Sequence, residues 1–259
     1  MNARAELAGS FGNVARAYDE ARPEYAVEAL RRAAKVFELG PDARVVDLAA
    51  GTGKLTRRLA ESFAEVVAVE PDDRMRAVLE ATAPGVEARA GTAEAIPVPD
   101  GFADAVFVAD AFHWFDASAA LAEIARVLRA RGGLALVWNV WWSEGKDDFE
   151  QELDPPLPDE AQALLDDAYV RSGRAAAFSE QRHGLEAFEG SPFGPVHEEA
   201  FRTELQLTGD GVVALFTTVS SVAWLPVQER EALGRRLREL VTGMHRLPMT
   251  TKLFWTRLR

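Results

Sequence analysis

Short apolar runs alternate with amphipathic stretches along the first half of the chain. The runs contain few charged residues and are rich in valine, leucine and alanine, as expected for parallel strands that are buried on both faces. The stretches between them place apolar residues three and four positions apart, which predicts helices. The alternation predicts an α/β fold with a mostly parallel sheet. The predicted strands are Ala43–Leu48, Val66–Glu70, Gly85–Arg89, Ala103–Val108 and Leu134–Asn139.

Two of the predicted helices carry boundary signals. Pro23 suits the first turn of a helix because its missing N–H is not needed there. Asp116 suits the N-cap of a later helix, and Gly132 and Gly133 suit its end. The apolar face of the helix after Pro23 consists of Ala26, Leu30, Ala33 and Phe37.

The second half of the chain is less regular. Residues 140–158 are rich in acids and prolines, and a helix predicted over Asp159–Ser172 follows them. Val196–Leu207 alternates apolar and polar residues as a sixth strand does. Pro226–Thr242 predicts an amphipathic helix, and Leu253–Leu258 predicts the closing strand.

The composition limits the kinds of molecule that the protein is expected to bind. A net charge of −12 opposes nonspecific nucleic-acid binding and gives no reason to expect an anionic membrane surface as partner. The chain has no cysteine, which excludes disulfides and thiolate metal sites. Residues 1–20 lack a secretory apolar core, and no apolar run of about 18 residues occurs. We therefore expect a cytoplasmic protein without a membrane partner, whose oligomeric state is left open.

The small-residue turn after the first strand holds the strongest chemical signal. Strand, tight turn and helix form the first crossover of a nucleotide-binding sheet, and Gly51 and Gly53 let a ligand approach the backbone. A phosphate-binding P-loop fails because Leu55 stands where Ser or Thr is required. A dinucleotide fingerprint is weakened by the bulk of Thr56. Asp47, at the strand end, would repel a pyrophosphate but suits the ammonium group of S-adenosylmethionine.

A second acid ends the second strand. Glu70 lies where a carboxylate can accept hydrogen bonds from both ribose hydroxyls of an adenosine. Asp47 and Glu70 together therefore predict an adenosine ligand that also carries a positive charge.

The residues Asp47-Leu48-Ala49-Ala50-Gly51-Thr52-Gly53 resemble motif I of the class I S-adenosylmethionine-dependent methyltransferases. They are most similar to the small-molecule branch that includes quinone-biosynthesis and trans-aconitate methyltransferases. The resemblance covers about residues 11–139, and Ala49 replaces the first of the family's three glycines. It implies a Rossmann-like, doubly wound, seven-stranded sheet, mostly parallel with an antiparallel last strand, plus an inserted lid.

The resemblance also implies a set of cofactor-binding residues. An aromatic residue before the first helix often lies near the sulfonium, and Tyr18 is the candidate here, since an aromatic face attracts a cation. Thr92 and Ala93 match the family segment that reads the adenine edge, and Met75 the residue that packs on adenine. The full expected set is Tyr18, Asp47, Ala49, Gly51, Gly53, Glu70, Pro71, Met75, Thr92, Ala93, Glu94 and Asp110.

Acceptor binding is expected just after the fourth and fifth strands, because ligands of open α/β sheets bind at the carboxyl ends of strands. His113 and Trp114 resemble the His-Trp pair of the trans-aconitate subgroup, and Trp141 follows the fifth strand. His113 can take a proton near neutral pH, or it can hold the acceptor by a hydrogen bond. A structural role, with Trp114 in the core and His113 bonded to backbone, is also open.

We therefore expect an S-adenosylmethionine-dependent methyltransferase that acts on a small-molecule acceptor. The predicted parts are residues 1–139 (N-terminal cover and cofactor-binding core), 140–195 (substrate lid) and 196–259 (the rest of the core). Arg171, Arg174 and Arg182 in the lid make a carboxylic acid one candidate acceptor, while oxygen, nitrogen and carbon acceptors all stay open. Two alternatives are a non-catalytic S-adenosylmethionine-binding protein and an NAD-dependent oxidoreductase. No metal site is expected, because the histidines show no ligand spacing.

Overall fold

The structure is a computed structural model of the chain, and it describes residues 15–140, 153–171, 184–223 and 225–259. The elements of its first part are α1 (Ala15–Ala21), α2 (Val27–Phe37), β1 (Arg44–Leu48), α3 (Lys54–Ala60), β2 (Glu65–Val69), α4 (Asp73–Thr82), β3 (Glu87–Arg89), β4 (Ala103–Ala109), a 3₁₀ turn (Phe112–Trp114), α5 (Ala117–Val127) and β5 (Leu128–Val140). Those of its second part are α6 (Asp159–Arg171), a 3₁₀ turn (Leu185–Phe188), β6 (His197–Thr208), α7 (Gly209–Thr217), α8 (Ser220–Ala223), α9 (Val227–Leu240) and β7 (Met244–Arg257).

The strands form one seven-stranded sheet in the order β3-β2-β1-β4-β5-β7-β6. Neighbouring strands from β3 to β5 are parallel, whereas β7 is antiparallel to both β5 and β6. The strand order reverses between β1 and β4, since the chain moves outward from β1 to β3 and then returns. The carboxyl ends beside such a reversal are where open α/β sheets bind ligands. This sheet confirms the predicted fold class.

The described chain divides into two compact units, and the division falls within β6 and β7. One unit holds Glu24–Asn139 and Thr251–Arg259 together with the described residues of His183–Phe201. The other holds the described residues of Met1–Pro23, Val140–Arg182 and Arg202–Thr250. The three-part division expected from the sequence, with a lid over residues 140–195, stays a prediction.

The core of the first of these units is built by the buried face of α2 against the central strands. Ala29 and Ala33 are fully buried, and their small side chains allow the helix to lie close to its neighbours. The face predicted from the sequence is therefore confirmed. This core consists of Tyr25, Ala26, Ala29, Leu30, Ala33, Phe37, Val45, Leu55, Leu59, Phe63, Val66, Ala105, Phe107, Ala135, Val137 and Leu253.

The other unit has its own apolar core. It gathers α6, α7 and α9 around the first residues of β7, and Val212, Leu237 and Leu247 are among its most buried side chains. Helix α7 was not predicted, because its start, Gly209-Asp210-Gly211, has the composition of a loop. Thr208 caps it instead, since its hydroxyl accepts a hydrogen bond from the Gly211 N–H.

Several predicted element boundaries are wrong. Helix α2 begins at Val27 rather than near Pro23, because the Ala26 N–H donates to the hydroxyl of Thr251 and holds the preceding chain extended. Helix α5 ends at Val127, before the two glycines that were expected to close it. Those glycines lie within β5, where Gly133 packs against an aromatic ring of α2.

The last strand begins at Met244, nine residues before the predicted start at Leu253. Its side chains alternate between buried and more exposed positions, but polar residues occupy some of the buried ones. His245 is such a residue, and its ring nitrogens lie 2.9 Å from the Pro155 carbonyl and 3.1 Å from the Thr242 carbonyl. Because polar residues are usually exposed, the alternation was not visible in hydrophobicity alone.

Gly133→Ala should destabilise the protein. A Cβ at this position would lie 2.4 Å from the ring of Phe37, which is itself buried, so the ring or the strand must shift. We expect a loss of about 1–3 kcal/mol in the free energy of unfolding, measured by urea denaturation. Gly40→Ala is the matched control, because its Cβ would meet nothing within 4 Å. Equal stability of both variants would contradict the packing argument.

Candidate functional site

The turn between β1 and α3 contains three residues in the left-handed backbone region. They are Ala49 with φ 57°, Gly51 with φ 58° and Gly53 with φ 86°. Ala49 replaces a glycine of the motif, so an L-residue here adopts a conformation that usually favours glycine. The turn therefore has a left-handed residue at Ala49 although no glycine stands there.

The two glycines of the turn have different surroundings. Among the described residues, a Cβ at Gly51 would meet nothing within 4 Å. A Cβ at Gly53 would lie 2.9 Å from Cγ of Leu79 on α4, so Gly53 is needed for the close packing of helices. The approach of a ligand to the backbone of the two glycines stays a prediction, which the space at Gly51 suits.

The carboxylate of Glu70 joins this turn to the end of β2. One oxygen accepts the Gly51 N–H at 2.8 Å, and the other accepts the Asp72 N–H at 2.9 Å. Burial raises the pKa of Glu70, and the two backbone hydrogen bonds oppose this shift. Each oxygen still has acceptor capacity beyond these bonds.

Asp47 is fully buried at the end of β1. Its Oδ2 accepts a hydrogen bond from the Thr56 hydroxyl on α3 at 2.5 Å. Its Oδ1 is buried and has no hydrogen-bond partner among the described residues. Burial, with a smaller contribution from the charge of Glu70, raises the pKa of Asp47 to about 7, although the hydrogen bond from Thr56 lowers it. A buried carboxylate oxygen without a partner needs an explanation, and a ligand is one.

The ends of β4 and β5 carry a second polar network. The Tyr25 hydroxyl donates to Asp110 at 2.9 Å, and the backbone N–H of Asn139 donates to the other oxygen of Asp110 at 3.3 Å. The Asn139 side chain donates to the Glu24 carbonyl and accepts from the Thr251 hydroxyl. The two hydrogen bonds hold the carboxylate of Asp110 in a defined place at the end of β4. The backbone of Asp110 has φ 48°.

Glu24 connects the segment before α2 to the start of α3. Its carboxylate lies 3.2 Å from the Lys54 ammonium, 3.7 Å from the Arg57 guanidinium and 3.4 Å from that of Arg58. Lys54 is largely buried at the first position of α3, where a cation opposes the helix dipole. Glu24 supplies the negative charge that this position needs.

The residues expected around the adenine lie in the segment Thr92–Glu94 and in or just before helix α4. Thr92 is exposed and forms an isolated β-bridge with Ala95, while Ala93 is buried. The Glu94 carboxylate accepts a hydrogen bond from the backbone N–H of Asp116. This expected cofactor ligand is therefore already bonded at the N-terminal end of α5. Met75 is buried on α4. Pro71, just before this helix, is exposed.

His113 and Trp114 lie together in the 3₁₀ turn that follows β4. Their ring centroids are 4.6 Å apart, and both side chains are partly exposed. The neighbouring Phe112 and Phe115 are buried instead, and Phe112 packs against Phe188 at 5.6 Å. The turn is thus anchored by its phenylalanines, and its histidine and tryptophan are left closer to the surface.

Two predicted residues lie outside the described part of the unit that holds this group. Tyr18 belongs to the other compact unit, and the Arg22 guanidinium lies 5.0 Å from the centre of its ring. Trp141, expected to bind the acceptor, lies outside the described residues. Their roles stay predictions.

Sequence reasoning missed several residues that shape the site. Thr56 was considered only as an obstacle to dinucleotide binding, yet it is the residue that hydrogen-bonds Asp47. Its position in the first turn of the helix after the motif is a usable signal, because that turn returns towards the strand end. Tyr25 and Asn139 carry no such local signal, since their partners are distant in the sequence.

Comparison with known proteins shows the family. A family described as "Methyltransferase domain" matches residues 46–136, which include the end of β1, the turn, Glu70 and His113. An uncharacterized methyltransferase of Schizosaccharomyces pombe is 30% identical over 237 residues, which cover 91% of this chain and 88% of the relative. The chain belongs to the S-adenosylmethionine-dependent methyltransferases.

One further protein is similar to this chain in sequence, and one solved structure is similar to it in fold. An uncharacterized methyltransferase of Mycobacterium tuberculosis is 49% identical to this chain over 138 residues. The match covers 52% of this chain and 54% of the relative, so the chain spans about half the length of this mycobacterial protein. A solved structure from Anaeromyxobacter dehalogenans, described as "a Putative Type II Methyltransferase", shares the fold, with a TM-score of 0.57 and 22% identity over 92% of this chain and 98% of that one.

The residues present fit the family cofactor. Oδ1 of Asp47, which is buried and has no hydrogen-bond partner among the described residues, would suit an ammonium group, and Glu70 has spare acceptor capacity that would suit ribose hydroxyls. In the described ranges, no group of three or more His, Asp or Glu residues could hold a metal ion. None of the helices in those ranges has the length and apolar character needed to cross a membrane.

Asp47→Asn should stabilise the methyltransferase at pH 8. The pKa of Asp47 is raised from 3.8 to about 7, so the unfolded state loses its proton first and the native state becomes less stable as pH rises between these values. The neutral amide avoids this penalty. We expect a gain of about 1–3 kcal/mol at pH 8 that falls by about 1 kcal/mol at pH 6, measured by urea unfolding. A gain that does not change with pH would contradict an ionised Asp47.

Proposed function

We propose that this chain transfers a methyl group from S-adenosylmethionine to a small-molecule acceptor. The observation that carries the proposal is the pair of buried carboxylates at neighbouring strand ends, Asp47 and Glu70, on either side of the open backbone at Gly51. The bound cofactor supplies an electrophilic methyl group. The protein must then hold the cofactor and present the acceptor in a defined geometry.

The two carboxylates would bind opposite ends of the cofactor. Asp47 pairs with the ammonium group of the methionyl part, because its buried charge otherwise lacks a cation. Glu70 accepts from the ribose hydroxyls while it keeps its bonds to the Gly51 and Asp72 N–H groups. Thr92, Ala93 and Met75 complete the proposed adenine end, and Ala49, Gly53, Pro71, Glu94, Asp110 and Tyr18 remain proposed members of the set.

His113 and Trp114 are the proposed acceptor residues. They follow β4, at the same edge of the sheet as the ends of β1 and β2, and they retain exposed surface. His113 would orient the acceptor or take its proton as the methyl group is transferred. Residues 140–195, with Trp141, would form the lid over the acceptor.

The acceptor is proposed as small, with carboxylic acids as one class. Of the arginines that suggested an acid, Arg171 lies in α6, where its guanidinium pairs with Asp167 and Glu229. Arg174 and Arg182 lie outside the described residues. The described contacts thus give the acid no special support, and a screen must also include phenols, amines and carbon acids.

Two other functions use the same site. A non-catalytic cofactor-binding protein would keep Asp47 and Glu70 but would not need the partly exposed His113. An NAD-dependent oxidoreductase is disfavoured because the buried Asp47 carboxylate would repel a pyrophosphate. In addition, the Gly51 N–H already donates to Glu70 and is not available to a phosphate oxygen. The pairing of a cation-seeking carboxylate with a ribose-binding one favours the methyltransferase.

Glu70→Gln should weaken binding of S-adenosylhomocysteine at least tenfold in calorimetric titration. The amide loses the charge that strengthens hydrogen bonds to the ribose hydroxyls and to the Gly51 N–H. Glu65→Gln, at the exposed opposite end of β2, is the matched control and should bind as the unchanged protein does. NADH should not bind. Binding of NADH alone would overturn the methyltransferase proposal.

His113→Ala should lower methyl transfer by about 10²–10⁴-fold if the histidine acts as the base, and should leave S-adenosylhomocysteine affinity unchanged. The assay is transfer of a radiolabelled methyl group to a panel of carboxylic acids, phenols, amines and carbon acids. Trp114→Phe is the companion variant, expected to alter acceptor KM more than kcat. Undiminished turnover in His113→Ala would remove the catalytic role of this residue.

A further inference from the structure

Thr56 is a buried polar residue to which the proposed function assigns no task. Its side chain is fully buried on α3, and its hydroxyl lies 2.5 Å from Oδ2 of Asp47. The opposite oxygen of Asp47 has no hydrogen-bond partner among the described residues. One carboxylate therefore has one oxygen fixed by the protein and one oxygen available to a ligand.

We propose that Thr56 is a positioning residue, whose hydroxyl keeps Asp47 oriented and ionised for the ammonium group of the cofactor. This inference rests on the proposed function, because it takes S-adenosylmethionine as the ligand of Asp47. Thr56 itself touches neither the cofactor nor the acceptor in this proposal. It acts through the carboxylate alone.

The geometry makes the hydroxyl a donor to the charged form of Asp47. An ionised carboxylate only accepts hydrogen bonds, so the hydroxyl proton points at Oδ2 and stabilises the anion. The β-branched threonine side chain has few χ1 rotamers, which keeps the hydroxyl directed at the strand end. Burial acts in the opposite sense, since it raises the pKa of Asp47 to about 7.

Charged groups on the neighbouring elements also bear on the ionisation of Asp47. Glu70, after β2, repels the negative form of Asp47 and raises its pKa. Asp110, after β4, is bonded by the Tyr25 hydroxyl. On α3 itself, Lys54, Arg57 and Arg58 are gathered around Glu24. The hydroxyl of Thr56 is therefore the side-chain group of the described residues that favours the ionised form of Asp47 by a hydrogen bond.

The test is the pH profile of S-adenosylhomocysteine binding, measured by calorimetry between pH 6 and pH 8.5. This ligand has the ammonium group but no sulfonium charge, so it reports on Asp47. The dissociation constant of the unchanged protein should rise about tenfold from pH 8 to pH 6, as expected for a pKa of about 7. In Thr56→Val the profile should move up by about one pH unit. Binding would then be about fivefold weaker at pH 7 and nearly equal at pH 8.5.

Two control variants separate this role from a structural one. Thr56→Ser keeps the hydroxyl and should keep the profile. Asp47→Asn should bind weakly with a flat profile, which excludes Glu70 as the titrating group. Should Thr56→Val fail to give a cooperative unfolding transition, Thr56→Ala provides the comparison instead, because it removes the hydroxyl together with the methyl group and places no new group against Asp47.

The outcomes are distinguishable. A Thr56→Val profile that matches the unchanged protein, or that is weaker by the same factor at every pH, would overturn the inference. So would a flat profile in the unchanged protein. Failure of the unchanged protein to bind S-adenosylhomocysteine at any pH would instead overturn the proposed function itself.

Discussion

The burial of one carboxylate at the end of β1 is the constraint on which the site depends. A charge removed from water must be paired or neutralised, and the described residues give Asp47 hydrogen bonds from Thr56 alone and a second acid nearby. The arrangement is unfavourable for an isolated fold. It becomes reasonable when the missing partner is a cation that arrives with the ligand. Stability and binding therefore place opposite demands on the same residue, as is common at functional sites.

Glu70 combines two tasks that are usually considered separately. It is the proposed ribose ligand, and it also fixes the backbone of the turn through the Gly51 and Asp72 N–H groups. Gly53 also has two roles. Because it has no side chain, Leu79 can pack close to it, and its positive φ shapes the turn. The ligand-facing surface is thus an extension of the packing between β1, α3, β2 and α4.

The parts of the fold that local pattern determines could be predicted from the sequence. The buried parallel strands, the α2 face and the acids at Asp47 and Glu70 were all visible as short runs or single positions. The errors came from contacts between distant residues: the Ala26 bond to Thr251 delays α2, and Phe37 occupies the space beside Gly133. The network around Asp110 could not be found for the same reason. No motif in residues 140–195 indicates which further side chains would contact the acceptor beside the proposed His113 and Trp114.

The hydroxyl of Thr251 makes one edge of the sheet depend on residues that are far apart in the sequence. It donates to the Asn139 side chain and accepts from the Ala26 N–H, and all three groups are buried. Asn139 is 112 positions away from Thr251, and Ala26 is 225 positions away. Contacts of such long range form slowly, because the entropy of closing a long loop is lost before the contact is gained. The connection between the end of β5, the start of α2 and β7 therefore belongs to the late steps of folding.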